Sequence, residues 1–126
     1  MAVRVLVVDD TQHVRSMLAD MLSLDGFDVV GQASDATTAA RIAAAERPDV
    51  AIMDLRLPGI DGIEATRLLR AASPGTSVIV YTAYLTEEIQ AAALAAGATH
   101  CLRKTDGLLE LERELSRLTL HLSHGA

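Results

Sequence analysis

The chain is poor in aromatic side chains. Phe27, Tyr81 and Tyr84 are all it has, and it has no tryptophan. A core must therefore be assembled from Val, Leu, Ile and Ala, and little is left to stack on a flavin ring. Cysteine is almost as scarce: Cys101 stands alone. No intramolecular disulfide can form, which fits a reducing compartment. Basic residues are also in deficit, with 11 Lys and Arg against 17 Asp and Glu, giving a net charge of −6 and a pI near 5.0. That excludes the basic face with which a domain grips a nucleic-acid backbone, though not a DNA-binding partner domain outside it. No apolar run approaches the ~18 residues of a membrane span. No basic start followed by an apolar stretch and a small-residue cleavage site opens the chain. The expectation is a soluble, cytoplasmic domain with no membrane or nucleic-acid partner of its own.

What is present is a single-domain length of 126 residues, half of them apolar. The apolar pattern alternates between short β-branched runs and stretches at helical spacing. Val3 to Val8, Asp28 to Ala33, Asp49 to Met53, Ser77 to Tyr81 and His100 to Arg103 read as strands. Between them, helices run from a Thr11 cap to Gly26, from about Ala36 to Glu46 behind Ser34 or Asp35, and from about Gly62 to Ala72. A fourth follows Thr86 and ends at Gly97, and Asp106 caps a fifth to about Leu122. Such alternation predicts a single doubly wound α/β domain: a five-stranded parallel sheet covered by five helices. Residues 1–122 form the domain and 123–126 a tail or the start of a linker. The stretch from His121 to Ala126 is expected to end without structure, and its two histidines, His121 and His124, are a weak metal signal.

Polar residues stand where the apolar runs stop. Asp9 and Asp10 follow the first strand, Asp54 the third, Thr82 the fourth, and Lys104 the fifth. Parallel strands bring their carboxyl ends to one edge, where ligands of open α/β sheets bind. Three carboxylates, a hydroxyl and an ammonium gathered there suit a divalent cation and a phosphoryl group. Asp54 can attack an activated phosphoryl group and carry it as an acyl phosphate. Asp9, Asp10 and Asp54, with a backbone carbonyl such as that of Arg56, are the oxygen donors Mg²⁺ prefers. Any one of these residues alone reads more simply, as a helix cap, a turn residue or a solvated lysine. Four strand ends carrying these types together form the specific signal.

These residues resemble the receiver domain of two-component response regulators. The resemblance runs from about Val3 to Leu122. It rests on the pair Asp9-Asp10, the stretch from Met53 through Asp54-Leu55-Arg56-Leu57-Pro58-Gly59-Ile60-Asp61 to Gly62, the pair Thr82-Ala83, and Lys104. It implies a flavodoxin-like strand order, 2-1-3-4-5. It also implies that Asp54 accepts phosphate from a sensor histidine kinase, that Asp9 and Asp10 hold Mg²⁺, and that Thr82 and Lys104 read the phosphorylated state. The domain would then be a phosphoacceptor catalysing its own modification, not a turnover enzyme. Its partners would be the kinase and an output domain or downstream protein. The Leu-Pro-Gly-Ile-Asp-Gly wording is most similar to receivers that precede a helix-turn-helix output, hence transcription regulation. The chain is then either a stand-alone receiver or one domain of a longer regulator.

Two other classes remain. An aspartate-nucleophile phosphatase usually places a second Asp two residues after the nucleophile, where Arg56 stands. A flavodoxin-like ligand-binding domain usually has a Gly-rich loop after its first strand, where Asp9-Asp10-Thr11 stands.

Two positions depart from the family pattern. The aromatic expected three residues before the lysine is Cys101, too small to sweep the same volume. It reads as a core residue ahead of a redox sensor, and switching is expected to rely on Thr82, loop rearrangement and Tyr84. The proline expected after the lysine is Thr105, which predicts a trans, more pliable loop. Arg56 and Tyr84 lie two residues beyond Asp54 and Thr82. They either shield the acyl phosphate from water or are two exposed loop side chains. In the last helix Leu108, Leu111, Leu115, Leu118 and Leu122 recur at spacings of three and four. That stripe packs on the sheet, or forms a coiled-coil-like seam with a second copy. By resemblance, the face of the fourth and fifth helices is the one that dimerises.

Overall fold

The computed structural model describes residues 2–124, with side chains described to residue 120. Five strands, β1 (Arg4–Val8), β2 (Asp28–Ala33), β3 (Val50–Met53), β4 (Ser77–Thr82) and β5 (His100–Arg103), form one parallel sheet in the order 2-1-3-4-5. Helices α1 (Gln12–Leu24), α2 (Ala36–Glu46), α3 (Gly62–Ala72), α4 (Glu87–Ala95) and α5 (Leu108–His124) connect and cover it. This is the flavodoxin-like arrangement. Strand order reverses between β1 and β3, so their carboxyl ends lie side by side at the switch point. No described helix is long and apolar enough to cross a membrane.

The period of two along each strand sorts its side chains onto two faces. Leu6, Val8, Ala51, Met53, Val78 and Val80 face α2, α3 and α4, whose contacts are mostly alanines: Ala36, Ala39, Ala43, Ala65 and Ala93. Val5, Val7, Val50, Ile52, Ile79 and Tyr81 face α1 and α5, which contribute Leu18, Leu22, Leu111 and Leu115. Strands buried on both faces explain why their sequences run apolar without alternation.

Several local expectations are corrected. Thr11 is the N-cap of α1, but its side chain makes no capping bond. Its N–H instead donates to Asp9 Oδ1 at 2.9 Å. Of the two residues expected to cap α2, Asp35 does so, accepting from the Thr38 N–H at 2.7 Å. Asp106 does not cap α5. Lys104–Asp106 form a 3-10 turn, Gly107 follows at φ 83°, and α5 begins only at Leu108. A residue with positive φ is needed there to redirect the chain, and glycine supplies it without a Cβ clash. At its far end α5 continues to His124, past the expected stop at Leu122. The side chains of His121, Leu122 and His124 lie outside the described residues.

Candidate functional site

The backbone ladder sets the carboxyl edge. The Asp9 N–H donates to the Ala33 carbonyl at 3.0 Å, and the Asp54 N–H to the Val8 carbonyl at 2.9 Å. Each aspartate thus extends its strand by one paired residue before the chain leaves the sheet, which fixes its Cα and the direction of its side chain. Asp9 and Asp54 are buried and Asp10 is exposed. Carboxylate oxygens of Asp9, Asp10 and Asp54 lie within 4.8 Å of one another. Hard oxygen donors at that spacing fit a divalent cation such as Mg²⁺. The three carboxylates expected to converge therefore do so.

Lys104 and Thr82 converge on them too. Lys104 Nζ donates to Asp9 Oδ2 at 2.7 Å and to Asp54 Oδ2 at 2.8 Å. The Thr82 hydroxyl donates to Asp54 Oδ1 at 2.9 Å, and the Arg56 N–H reaches the same oxygen at 3.1 Å. The threonine was expected to meet a phosphoryl oxygen. Here it already holds the carboxylate that would carry one. Both oxygens of Asp54 are therefore engaged by donors.

The electrostatics follow from these contacts. Burial pushes the Asp54 carboxyl upward, but the Lys104 hydrogen bond, the Arg56 N–H, the Lys104 charge and the Thr82 hydroxyl outweigh it. The net effect holds Asp54 below the ordinary carboxylate value, so it is ionised at neutral pH. Burial alone would depress the Lys104 ammonium, yet its bonds to Asp54 and Asp9 raise it above the usual lysine value. An anionic nucleophile beside a fixed cation is what phosphoryl transfer asks of a protein, because the transferred group needs positioning and charge neutralisation.

Arg56 and Tyr84 are both exposed, and both line a cavity of about 310 Å³ that also touches Thr82, Leu55 and Ile89. They flank the site, and no described hydrogen bond or ion pair joins their side chains to Asp54. Cys101 lies on the face toward α3 and α4, opposite Val80 in the β4–β5 register and half-buried. Burial raises its thiol above the ordinary value, as expected of a core cysteine. It also lines a groove of about 500 Å³ with Leu85, Gln90 and Arg103, so the space beside it stays open.

Gly62 and Arg15 support the site in ways the sequence pattern did not assign to them. Gly62 lies so close to β3's exit that an added Cβ would sit 2.3 Å from the Leu55 Cα. Its N–H donates to the Leu55 carbonyl at 3.0 Å. Arg15 reaches back from α1 to the Asp9 carbonyl at 2.8 Å. Its signal was available: helical side chains lean toward the N-terminus, so a long cation one turn into α1 overhangs the preceding loop.

The family profile for the response regulator receiver domain matches residues 5–116. The chain is 40% identical over 110 residues to the response regulator GacA of Pseudomonas viridiflava, covering 86% of this chain and 51% of that protein. It is 41% identical over 118 residues to a protein-glutamate methylesterase/protein-glutamine glutaminase of Haloarcula marismortui, covering 92% of this chain and 31% of that protein. The chain thus spans about half of the first of these relatives and about a third of the second. Among solved structures, the signal receiver domain of the putative response regulator NarL from Mycobacterium tuberculosis superposes with a TM-score of 0.84 at 33% identity, covering 94% of this chain and 97% of that one.

Proposed function

The chain belongs to the response regulator receiver domain family, and from that premise we propose that Asp54 is its phosphoacceptor. The observation that carries this is the convergence of Lys104, Thr82 and the Arg56 N–H on the two oxygens of one buried, ionised carboxylate. A carboxylate oxygen of Asp54 attacks the phosphorus of a phosphohistidine on a sensor kinase. The P–N bond breaks, the imidazole leaves and takes a proton, and an acyl phosphate forms on Asp54. Asp9, Asp10 and Asp54, with the Arg56 backbone carbonyl, would hold Mg²⁺, which offsets charge on the transferred group. Lys104 offers a second cation, and Thr82 exchanges its carboxylate partner for a phosphoryl oxygen. That exchange moves β4's carboxyl end, and with it the loop leading into α4.

In this reading the domain is a switch that modifies itself and passes its state to an output domain or a downstream protein. A transcriptional output is the reading favoured here, in a cytoplasmic setting, with residues 1–122 as the receiver unit. The α4 and α5 face is the proposed contact for a second copy. Light scattering with and without a phosphoryl mimic tests that contact, and a mass that never changes would remove it. Arg56 and Tyr84, at the rim of one cavity beside Thr82, shield the acyl phosphate. Their joint replacement by alanine should shorten its lifetime several-fold in a timed phosphate-release assay.

The central test is incubation with a small phosphodonor and Mg²⁺, read by intact mass. The wild type should gain one phosphate and Asp54→Ala none. No gain in the wild type, or an equal gain in the variant, would end the proposal.

A further inference from the structure

Asp9 is held through every hydrogen-bonding group it has. Its N–H bonds to Ala33, Oδ1 accepts from the Thr11 N–H and Oδ2 from Lys104. Its carbonyl, the fourth group, accepts from Arg15 Nη1 at 2.8 Å. Asp10 is the opposite case. It is exposed, and the only described bond to its carboxylate is a long one from the Thr11 hydroxyl, at 3.4 Å. Yet one of its oxygens lies within 4.8 Å of those of Asp9 and Asp54. Something other than its own side-chain contacts must aim it. The Asp9 carbonyl and the Asp10 N–H share one rigid peptide plane. Fixing that carbonyl fixes the direction in which Asp10 leaves the strand.

We propose that Arg15 is a positioning residue for the cation site: through the Asp9 carbonyl it sets the peptide plane that points the Asp10 carboxylate at Asp9 and Asp54. The inference rests on the cation reading above, and adds a residue that touches neither the ion nor the phosphoryl group. Arg15 suits the task. It is half-buried, so its stem is packed rather than waving in solvent. Its own N–H is tied to the Thr11 carbonyl at 3.0 Å, placing it one turn inside α1. From there the side chain leans back over the loop it clamps. Supporting groups of this kind commonly govern metal affinity as strongly as some ligands do.

The sign of the effect separates positioning from simple charge. A guanidinium acting only as a nearby positive charge would repel a divalent cation, so its removal would tighten binding. A guanidinium that orients a ligand would, on removal, weaken it. The test is titration of the purified chain with Mg²⁺ by calorimetry and with Mn²⁺ by electron paramagnetic resonance. Arg15→Met should weaken binding about tenfold. Arg15→Lys keeps the charge and a donor and should fall between the two; it also stands in for Arg15→Met if that variant does not fold. As a second readout, the Mg²⁺ concentration for half-maximal phosphorylation should rise in Arg15→Met while the rate at saturating Mg²⁺ stays near wild type. Affinity unchanged or tightened in both variants, with the wild type binding normally, would overturn the inference alone. A wild type that binds neither ion would overturn the cation reading and this inference with it.

Discussion

Lys104 is the only lysine in the chain, which makes its surroundings chemically addressable. Its ammonium bridges Asp9 and Asp54 and is held above the usual lysine value, against the opposing pull of burial. The free amine that reacts with an acylating reagent is therefore depleted at pH 8.5 relative to an exposed lysine. Lys104 should acylate more slowly than the N-terminal amine, and Asp54→Asn should speed it, as followed by peptide mass spectrometry. Equal rates in both proteins would mean that the ion pair does not hold in solution. The residue types at this site were legible because each ends an apolar run. Their pairing was not: nothing in the sequence says that Thr82 and Arg56 share one oxygen of Asp54, because both distances depend on loop paths. That Cys101 packs with the core was legible, since period two turns every second residue of β5 inward.

Gly62 shows what an element can hide. In the sequence it looks like the ordinary start of α3, and its φ is not positive. In space its missing Cβ lets α3 begin against the backbone of Leu55, one residue after Asp54. Gly62→Ala should cost about 1–3 kcal/mol, because backbone cannot yield as a side chain can. Urea unfolding measures that cost, and a variant as stable as wild type would contradict the close approach. The last helix was read more fully. Leu111 and Leu115 are fully buried, Leu108 and Leu118 pack beside them, and Leu109 and Leu120 stay exposed as the stripe requires. Leu115→Ala should cost about 3 kcal/mol, whereas Leu120→Ser should change the urea midpoint little. What failed was the helix start. An acidic residue before an apolar stripe resembles a cap, but here the chain spends that residue in a 3-10 turn so that Lys104 can point back to the site.

The whole molecule carries −6 and yet gathers three carboxylates at one edge, so its acid response depends on how that edge is neutralised. Asp54 is lowered below 3.8 in the folded state, so its contribution to stability is present above that value and is lost as pH falls through the lowered one. Lys104 is raised above 10.5, so its contribution is present below 10.5 and is lost as pH rises through the raised one. The two shifts report largely the same contact and count once. Lys104→Met removes the largest force lowering Asp54 and leaves burial to raise it. The wild type should therefore lose stability between pH 5 and pH 3 more steeply than Lys104→Met, as measured by urea midpoints. Near neutral pH the variant should be about 2 kcal/mol less stable, since two carboxylates lose their shared cation, and the gap should narrow as the pH falls. Parallel pH curves would separate the site from the stability of the fold.

The sequence by itself determined the α/β class, the five alternating units and the identity of the edge residues. Those follow from local periodicity and from polar residues that terminate apolar runs, both written in neighbouring positions. Tertiary structure alone decided which donor meets which carboxylate oxygen and how close Gly62 stands to Leu55. Each of these joins positions on separate elements or across a turn, at distances of a few ångströms. Such distances are set by the packing of helices on a twisted sheet, and no local pattern encodes them.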